Sequence, residues 1–475
     1  MNKSLVSLGI TSLLCSGMVA QSLDSIPKIQ ELDEVVVSDS RFALQRENSG
    51  KTVIKITAEE LSKSQGKSIA ELINTKSGLE ITGSRGRPGA ILGVFARGGR
   101  GRQVLILVDG VRVADPSSAS SAYDLRLMST ANVASIEIIK GAASTLYGTN
   151  AATAVINITT KKITKKNAAL NLQSSMGTNQ TASDQNFNVA DFSNSAQLNG
   201  MLGKFNYALG FSHTYSDGLS AIVTPQNKED VFSNRSTDLR LGYKFSKKLQ
   251  LDIYGNQTKI RSDFDDSFGL TDANNQFLSK QERLGLASTY QYSRRAALVL
   301  NSAYTAYNSE SKSAFPNSFV GENWVVDVYN KLNLGTRWHT IFGINYIKDE
   351  TEFLTNETFE IMDPYANVVY VSDFGLNLNV GARSTNHSEY GSHFVYNVNP
   401  SFTFKTDNGY IKLMSSLATS YITPSLTQLF GNFGANPDLE PENNRTFEGG
   451  FEYSITDKLR FSSLYFDRKE ENFVF

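Results

Sequence analysis

One cysteine, Cys15, stands in the 475-residue chain, and it lies inside an apolar segment at the N-terminus. That count excludes a disulfide framework and a thiolate metal site. Tryptophan (2) and proline (10) are scarce, and the four histidines, His213, His339, His387 and His393, share no metal-ligand spacing. They read as ordinary strand or loop residues. The formal net charge of -1 leaves no basic surface that would argue for nucleic acid. No apolar run is long enough to cross a bilayer as a helix. A chain of this kind can cross a membrane only with strands. No P-loop, Ser/His/Asp set or metal cluster occurs at meaningful spacing, so no catalytic residues are expected.

Tyrosine (20), phenylalanine (28) and glycine (35) are plentiful. From about Ala168 onward the chain falls into segments of alternating polarity. Phe205, Tyr207, Leu209 and Phe211 alternate with Asn206, Ala208, Gly210 and Ser212. Leu239, Leu241, Tyr243 and Phe245 oppose Asp238, Arg240, Gly242 and Lys244. Period two places one set on each face of a strand, either lipid against a wet lumen or core against solvent in a soluble sandwich. The connections alternate too. Lys247-Lys248 and Ser293–Arg295 are tight, whereas Asp217–Asn234, Ser262–Lys280 and Ser309–Asn323 read as long loops.

The N-terminal third differs. Lys3, the apolar Leu5–Leu14 and the small residues before Ala20 read as a secretory signal over residues 1–20. Residues 21–48 read as a polar linker containing Leu32-Asp33-Glu34-Val35-Val36-Val37. A β-branched run without proline can add a strand to a partner's sheet edge. Residues 49–162 read as an α+β domain. Thr57 and Glu60 suggest a capping box, and Ile69, Leu72 and Ile73 an apolar helix face. Asp109-Gly110 between Val104–Val108 and Val111–Val113 signals a type I′ hairpin. Ile136–Lys140 and Val155–Thr160 read as strands, joined through the small residues Gly141–Ser144, where the backbone passes close to a neighbour. Arg97, Arg100 and Arg102 alternate with glycines in a turn and are expected to face a polar lumen.

The stretch Ile136–Lys162, IEIIKGAASTLYGTNAATAVINITTKK, with the hairpin before it, resembles the plug domain of TonB-dependent outer-membrane receptors. Further on, Ser425–Gly431, Gly434–Glu442 and Thr446–Gly450 resemble the same family, and within it the vitamin B12 (cobalamin) transporters. Asn443-Asn444-Arg445 departs from their usual Lys-Ser. The resemblance implies an antiparallel membrane β-barrel over residues 163–475, with the plug in its lumen, in the outer membrane of a Gram-negative bacterium. It implies active uptake of cobalamin or a related corrinoid. An iron chelate, either siderophore or haem, is the alternative; a passive pore or adhesion protein would have no use for the plug. The implied partners are TonB, the transported ligand and outer-membrane lipid. A surface lipoprotein capping the mouth is left open. Leu32, Asp33, Glu34, Val35, Val36 and Val37 would be the TonB box. Gly83, Ser84, Arg85, Arg87, Asp115, Ser117 and Ser118 lie in plug loops that in the family face outward and touch ligand. Asp263, Asp265, Asp266 and Asp272 form an acidic loop that either holds calcium, as in some vitamin B12 receptors, or is simply solvated.

About fourteen strand-like segments follow Ala168, against about 22 strands in plugged transporters of this kind. Arg468–Asn472 reads as a charged loop. The chain is therefore expected to be a fragment or a truncated reading frame. The alternative, a smaller self-closing barrel, requires the strand at Phe475 to pair with the one near Ala168.

Overall fold

The computed structural model describes residues 35–474 apart from 37–38, 65, 84–85, 162, 181–187, 221, 223–227, 267–268 and 456–458. The expected signal segment, together with Leu32, Asp33, Glu34, Val37, Ser84, Arg85 and Phe475, lies outside the described residues.

β1 (Val35–Val36) and β2 (Leu44–Gln45) pair as a short antiparallel ladder. Then come β3 (Thr52–Ile56), α1 (Ala58–Lys63), α2 (Ile69–Asn74), β4 (Leu79–Thr82), β5 (Gly93–Ala96), β6 (Val104–Val108) and β7 (Val111–Val113). β8 (Val133–Lys140), α3 (Ser144–Tyr147) and β9 (Ala154–Thr160) complete this part. Five of the strands form one sheet in the order β3-β8-β9-β6-β7, with β6 and β9 parallel and the other neighbours antiparallel. Ile56, Ile69, Ile73, Ile136, Ile138, Ile156 and Ile158 meet in its core with no exposure. Asp109 and Gly110 take φ of 52° and 80°, the two left-handed residues a type I′ turn needs. Only half of the capping box expected at Thr57 forms. Its hydroxyl accepts from the Glu60 N–H at 3.3 Å, but the Glu60 carboxylate turns to Lys76. The complete box stands at Ser68 and Glu71.

The remainder is one sheet. β10 (Ala169–Gly177), β11 (Asp191–Leu202), β12 (Phe205–Ser216), β13 (Phe232–Lys244), β14 (Leu249–Asp266), β15 (Thr271–Ser293) and β16 (Ala296–Lys312) open it. β17 (Asn317–Leu334), β18 (Trp338–Glu352), β19 (Asn356–Val371), β20 (Leu376–His387), β21 (Gly391–Thr406) and β22 (Gly409–Ile422) continue it. After α4 (Leu426–Phe430) come β23 (Glu442–Ile455) and β24 (Leu459–Glu471). These fifteen strands lie in chain order, each antiparallel to the next. β10 and β24 are the two ends of the sheet, and among the described residues no ladder joins them. The pairing required by a self-closing small barrel is thus not found there.

The two faces of this sheet are inverted relative to a soluble protein. On β12, Leu209 and Phe211 are exposed while Asn206 and Ser212 are buried. On β23, Phe447, Phe451 and Tyr453 are exposed while Glu442, Asn444, Thr446, Glu448 and Glu452 are buried. Apolar outside and polar inside is the arrangement of a barrel wall in lipid. The buried polar face wraps the N-terminal domain. At one end of the sheet, the Gln197 amide of β11 donates to the Ala131 carbonyl at 2.7 Å. At the other, the Gln103 amide donates to Glu470 of β24 at 2.8 Å. The expected cork inside a curved strand wall is the architecture observed.

Three expected loops are strands. The ladders of β14–β15 and β16–β17 run on to Asp266/Thr271 and Ser311/Asn317, through most of the stretches Ser262–Lys280 and Ser309–Asn323. A strand needs only about 9–11 residues to cross the hydrocarbon. Beyond that depth both faces meet water, so the polarity contrast that marks a strand fades. Arg468–Glu471 likewise belongs to β24, its Arg468 and Glu470 facing Gln103 of the plug rather than water.

A buried ion pair fixes plug to wall. Arg383 of β20 lies 2.9 Å from Asp363 of β19, with side chains 1% and 0% exposed. It also donates to the Thr145 and Leu146 carbonyls at the end of α3, at 3.0 and 2.8 Å. Those carbonyls have no partner within the helix. Arg383→Met strands the Thr145 carbonyl and a buried carboxylate, while the Leu146 carbonyl keeps Arg41. We expect a loss of about 3–5 kcal/mol, seen as a lowered melting temperature of the detergent-solubilised protein; an unchanged melting temperature would show that this contact does not hold the plug.

Candidate functional site

Antiparallel pairing in chain order sends alternate connections to opposite ends of the wall. The short ones at 203–204, 245–248, 294–295, 335–337 and 407–408 share one end, and the long ones at 217–231 and 423–441 share the other. The N-terminal segment sits at the short-turn end. Lys331 donates to the Arg41 carbonyl at 2.6 Å, the Phe42 and His339 rings are 5.1 Å apart, and Thr403 donates to the Glu47 carbonyl at 2.7 Å. The stretch expected to be a polar linker is therefore folded from Val35 on, with residues 37–38 not described. Val36 is 1% exposed and packs with Phe42, Leu44, Val53 and Ile139. Of the expected TonB box, the described pair Val35–Val36 is already a strand, matched to Gln45 and Leu44.

The expected apex loops sit at the other end. Arg87 reaches Asp230 at 3.3 Å and the Ser262 hydroxyl at 3.3 Å, so it joins the plug to the β13–β14 wall. Gly83 takes φ of 80°, and an added Cβ there would overlap the Ile91 carbonyl. Asp115 is the hub of its loop, accepting from the Ser117 N–H at 3.0 Å and the Ser117 hydroxyl at 2.6 Å. The Ser118 hydroxyl donates to the Asp115 carbonyl at 2.9 Å. This loop is held from the wall by α4: Thr427 donates to the Ser117 carbonyl at 3.0 Å and Ser425 to the Ala119 carbonyl at 2.9 Å. The structure thus places Arg87 and the loop of Asp115, Ser117 and Ser118 at one mouth but gives them separate wall partners.

Most of the acidic stretch is strand rather than loop. Asp263 pairs with Arg261 at 2.7 Å, Asp265 accepts from Ser220 at 3.0 Å and from the Ala273 N–H at 3.1 Å, and Asp272 accepts from the Lys228 N–H at 2.8 Å. Asp263, Asp265, Asp266 and Asp272 belong to a strand hairpin, and Asp265 and Asp272 tie it to the connection before β13. Among the described residues no three His, Cys, Asp or Glu side chains gather as a metal site.

Residues the sequence reading passed over carry much of the plug–wall contact. Glu448 receives Arg97 and lies 3.7 Å from Lys51; Glu442 lies 3.7 Å from Arg102; Glu452 lies 3.5 Å from Arg46 and from Lys412. Burial pushes the Lys51 ammonium below its ordinary value, and Glu448 opposes that shift. Arg97 and Arg102 do face a polar lumen, as expected. Glu442, Glu448 and Glu452 fall at even spacing on one face of β23, a pattern that marks an inward face but not which plug side chain each meets. Gly141 lies where an added Cβ would overlap the Glu448 carboxylate, the close approach that its small neighbours suggested. Arg41 joins Asp327 at 2.6 Å, the Tyr365 hydroxyl at 2.9 Å and the Leu146 carbonyl at 2.9 Å. A lone arginine in a polar stretch gave no signal of this.

Residues 45–155 match the family model described as TonB-dependent Receptor Plug Domain, and residues 168–475 match that described as TonB dependent receptor-like, beta-barrel. The vitamin B12 transporter BtuB of Vibrio cholerae serotype O1 is 25% identical over 488 residues, across 100% of this chain and 76% of that relative. Among solved structures, the ferric enterobactin receptor PfeA of Pseudomonas aeruginosa superposes with a TM-score of 0.73 at 18% identity, over 88% of this chain and 71% of that one. The siderophore receptor PirA of Acinetobacter baumannii gives 0.74 at 17%, over 88% and 70%. The ferric yersiniabactin uptake receptor FyuA of Yersinia pestis gives 0.67 at 14%, over 89% and 72%. At these identities the three structures share the fold.

Burial raises the Asp115 carboxyl from its ordinary 3.8 to about 6, against the opposing hydrogen bonds from Ser117. The folded chain then keeps a proton that the unfolded chain loses near pH 4. Stability falls as pH rises from about 4 to about 6 and is level above, with a slope of at most ~1.4 kcal/mol per pH unit from this group. Melting curves of wild type and Asp115→Asn over that interval should diverge by this slope; parallel curves would place the titration elsewhere.

Proposed function

The chain belongs to the TonB-dependent receptor family, and from that premise we propose that it imports cobalamin or a related corrinoid across the outer membrane by TonB-driven movement of the plug. The family comprises receptors and transporters of the Gram-negative outer membrane. In this reading residues 1–20 are an export signal, 21–48 a tether with the TonB box, 49–162 the plug, and 163–475 barrel strands.

The observation that carries the reading is the axial order of the plug's two ends. The Asp115–Ser118 loop sits at the long-connection mouth, and the Val35–Val36 strand sits at the short-turn end. A ligand landing on the first end can be answered by pulling on the second. Ligand contact at residues 115–119 is felt by α4, which also holds Arg102 through Gln428 at 3.0 Å. To add a strand to TonB, Val35–Val36 must leave its two-residue ladder and expose Val36. Exposing one valine costs about 1.5–3 kcal/mol, a step that a bound ligand can supply and an unliganded plug resists.

Cobalamin is favoured because the resemblance to a vitamin B12 transporter runs the whole length of the chain. The fold shared with siderophore receptors supports the second reading, a ferric chelate. Purified protein titrated with cyanocobalamin and with ferric catecholate chelates separates the two; binding of the chelate alone would replace the first reading by the second. Deleting Leu32–Val37 should reduce uptake to background while leaving ligand binding at the cell surface intact. Uptake at the undeleted rate would remove the energy-coupling role.

A further inference from the structure

The plug is not held evenly. Towards β17–β24 it meets the wall through buried charges: Asp327, Arg383, Lys412, Glu442, Glu448 and Glu452. Towards β11–β15 a cavity of about 100 Å³ separates the two. Asp109, Tyr123 and Lys161 line it from the plug, and Arg240, Tyr254 and Arg283 from the wall.

The chemistry of this cavity is unusual for a packing fault. Arg283 is 6% exposed, yet its Nε and Nη2 have no hydrogen-bond partner. A buried guanidinium without an acceptor is costly. Its Cζ lies 5.7 Å from the centre of the Tyr254 ring, and the Arg240 Cζ lies 5.5 Å from the same ring. The ring can lie there because residue 285 is glycine; a Cβ would overlap it. The Tyr254 hydroxyl is also buried without a partner. The carboxylates lining the cavity are engaged by other groups. Asp109 takes Arg240 at 2.5 Å and the Thr160 N–H and hydroxyl at 2.8 and 2.7 Å, and Asp238 takes the Asn256 amide at 2.8 Å. Lys161 is held by the Ala131 carbonyl and by Gln197 at 3.3 Å. Three cations thus face two occupied carboxylates, and Arg283 is left with open donors.

We infer that this cavity is a transit station for an anionic oxygen group, a phosphate ester or carboxylate, of the ligand passing between the plug and the β13–β15 wall, gripped by Arg283 and Arg240 over Tyr254. The inference rests on the import reading above. The volume is smaller than the roughly 150 Å³ of a cavity that takes one benzene, room for one such group rather than for a whole ligand. Its depth fits a passage: Tyr254 pairs in register with Arg240 and Gly285, nearer the short-turn start of β14 at Leu249 than its outer end at Asp266. A group released from the mouth would meet it on the way in. When an oxyanion enters, it supplies the acceptor that Arg283 lacks and can compete with Asp109 for Arg240, loosening the plug's hold on this wall.

The test has two readouts. In detergent, the full chain is melted in inorganic phosphate and in chloride at matched ionic strength, since a ligand of the folded state alone raises its melting temperature. Phosphate should raise the melting temperature of wild type, less that of Arg283→Lys, and not that of Arg283→Gln. In cells, Arg283→Gln should import cyanocobalamin several-fold more slowly while binding it normally at the surface. If Arg283→Gln fails to reach the membrane, Arg240→Gln gives the same two readings. Equal phosphate shifts in wild type and variant, or none in either, overturn the inference. So does a phosphate shift with import at the wild-type rate, which would make the cavity a holder of free anion only. The melting result does not depend on uptake, so its failure leaves the import reading standing. Loss of import by wild type would remove that reading without touching the phosphate result.

Discussion

Lipid on one side of a strand wall forces polarity to the other, and a polar group turned inward is costly unless it finds a partner. This constraint organises the molecule. Asp327, Asp363, Arg383, Lys412, Glu442, Glu448 and Glu452 all point inward and are nearly fully buried. Each is a charge that would be intolerable against an empty low-dielectric space. The plug answers most of them with its own arginines, lysines and helix-end carbonyls, and Asp363 is answered by Arg383 of the wall. Wall and plug are therefore complementary in charge as well as shape, and neither face is explicable alone.

The answer is uneven around the circumference. Buried ion pairs between plug and wall cluster along β17–β24, whereas towards β11–β15 they are fewer: Arg240 meets Asp109 and Arg87 meets Asp230, beside the Gln197 bond to the Ala131 carbonyl. The N-terminal ladder is only two residues per strand and lies at the short-turn end of the wall. Outward at the mouth, α4 links the Asp115 loop to the wall and to Arg102, so a change at the apex has a path through side-chain contacts toward Glu442.

Much of this was readable from residues alone where a period or a turn chemistry carried it. Phe205–Ser212 alternates, and the faces fall as the alternation demands. Asp109-Gly110 adopts the left-handed pair its residues favour. The small residues around Gly141 do mark a close approach. Other features escaped for physical reasons. The outer reaches of β14–β17 lie in water on both faces, so no alternation distinguishes strand from loop. Arg468 and Glu470 looked like a solvated loop because charge is usually a sign of water, whereas here it signs the lumen. The partners of the wall glutamates depend on how plug and wall are rotated against one another, which no local pattern encodes. Val36 is buried by contacts with Val53 and Ile139, distant in sequence, so a short valine run gave no hint that it would be packed.

The central claim is that the plug sits inside the wall, seated on β20–β22. A Cβ built on Gly381 of β20 lies 3.0 Å from the Thr145 hydroxyl of the plug, the place that the sulfur of a cysteine at 145 would take, so the two positions are close enough for a disulfide. The most direct measurement is therefore oxidation of the pair Thr145→Cys and Gly381→Cys, in a Cys15→Ser background, in intact outer membranes. The account predicts a disulfide that closes readily and leaves neither thiol open to a water-soluble maleimide. Two thiols that stay reduced and label freely would contradict it.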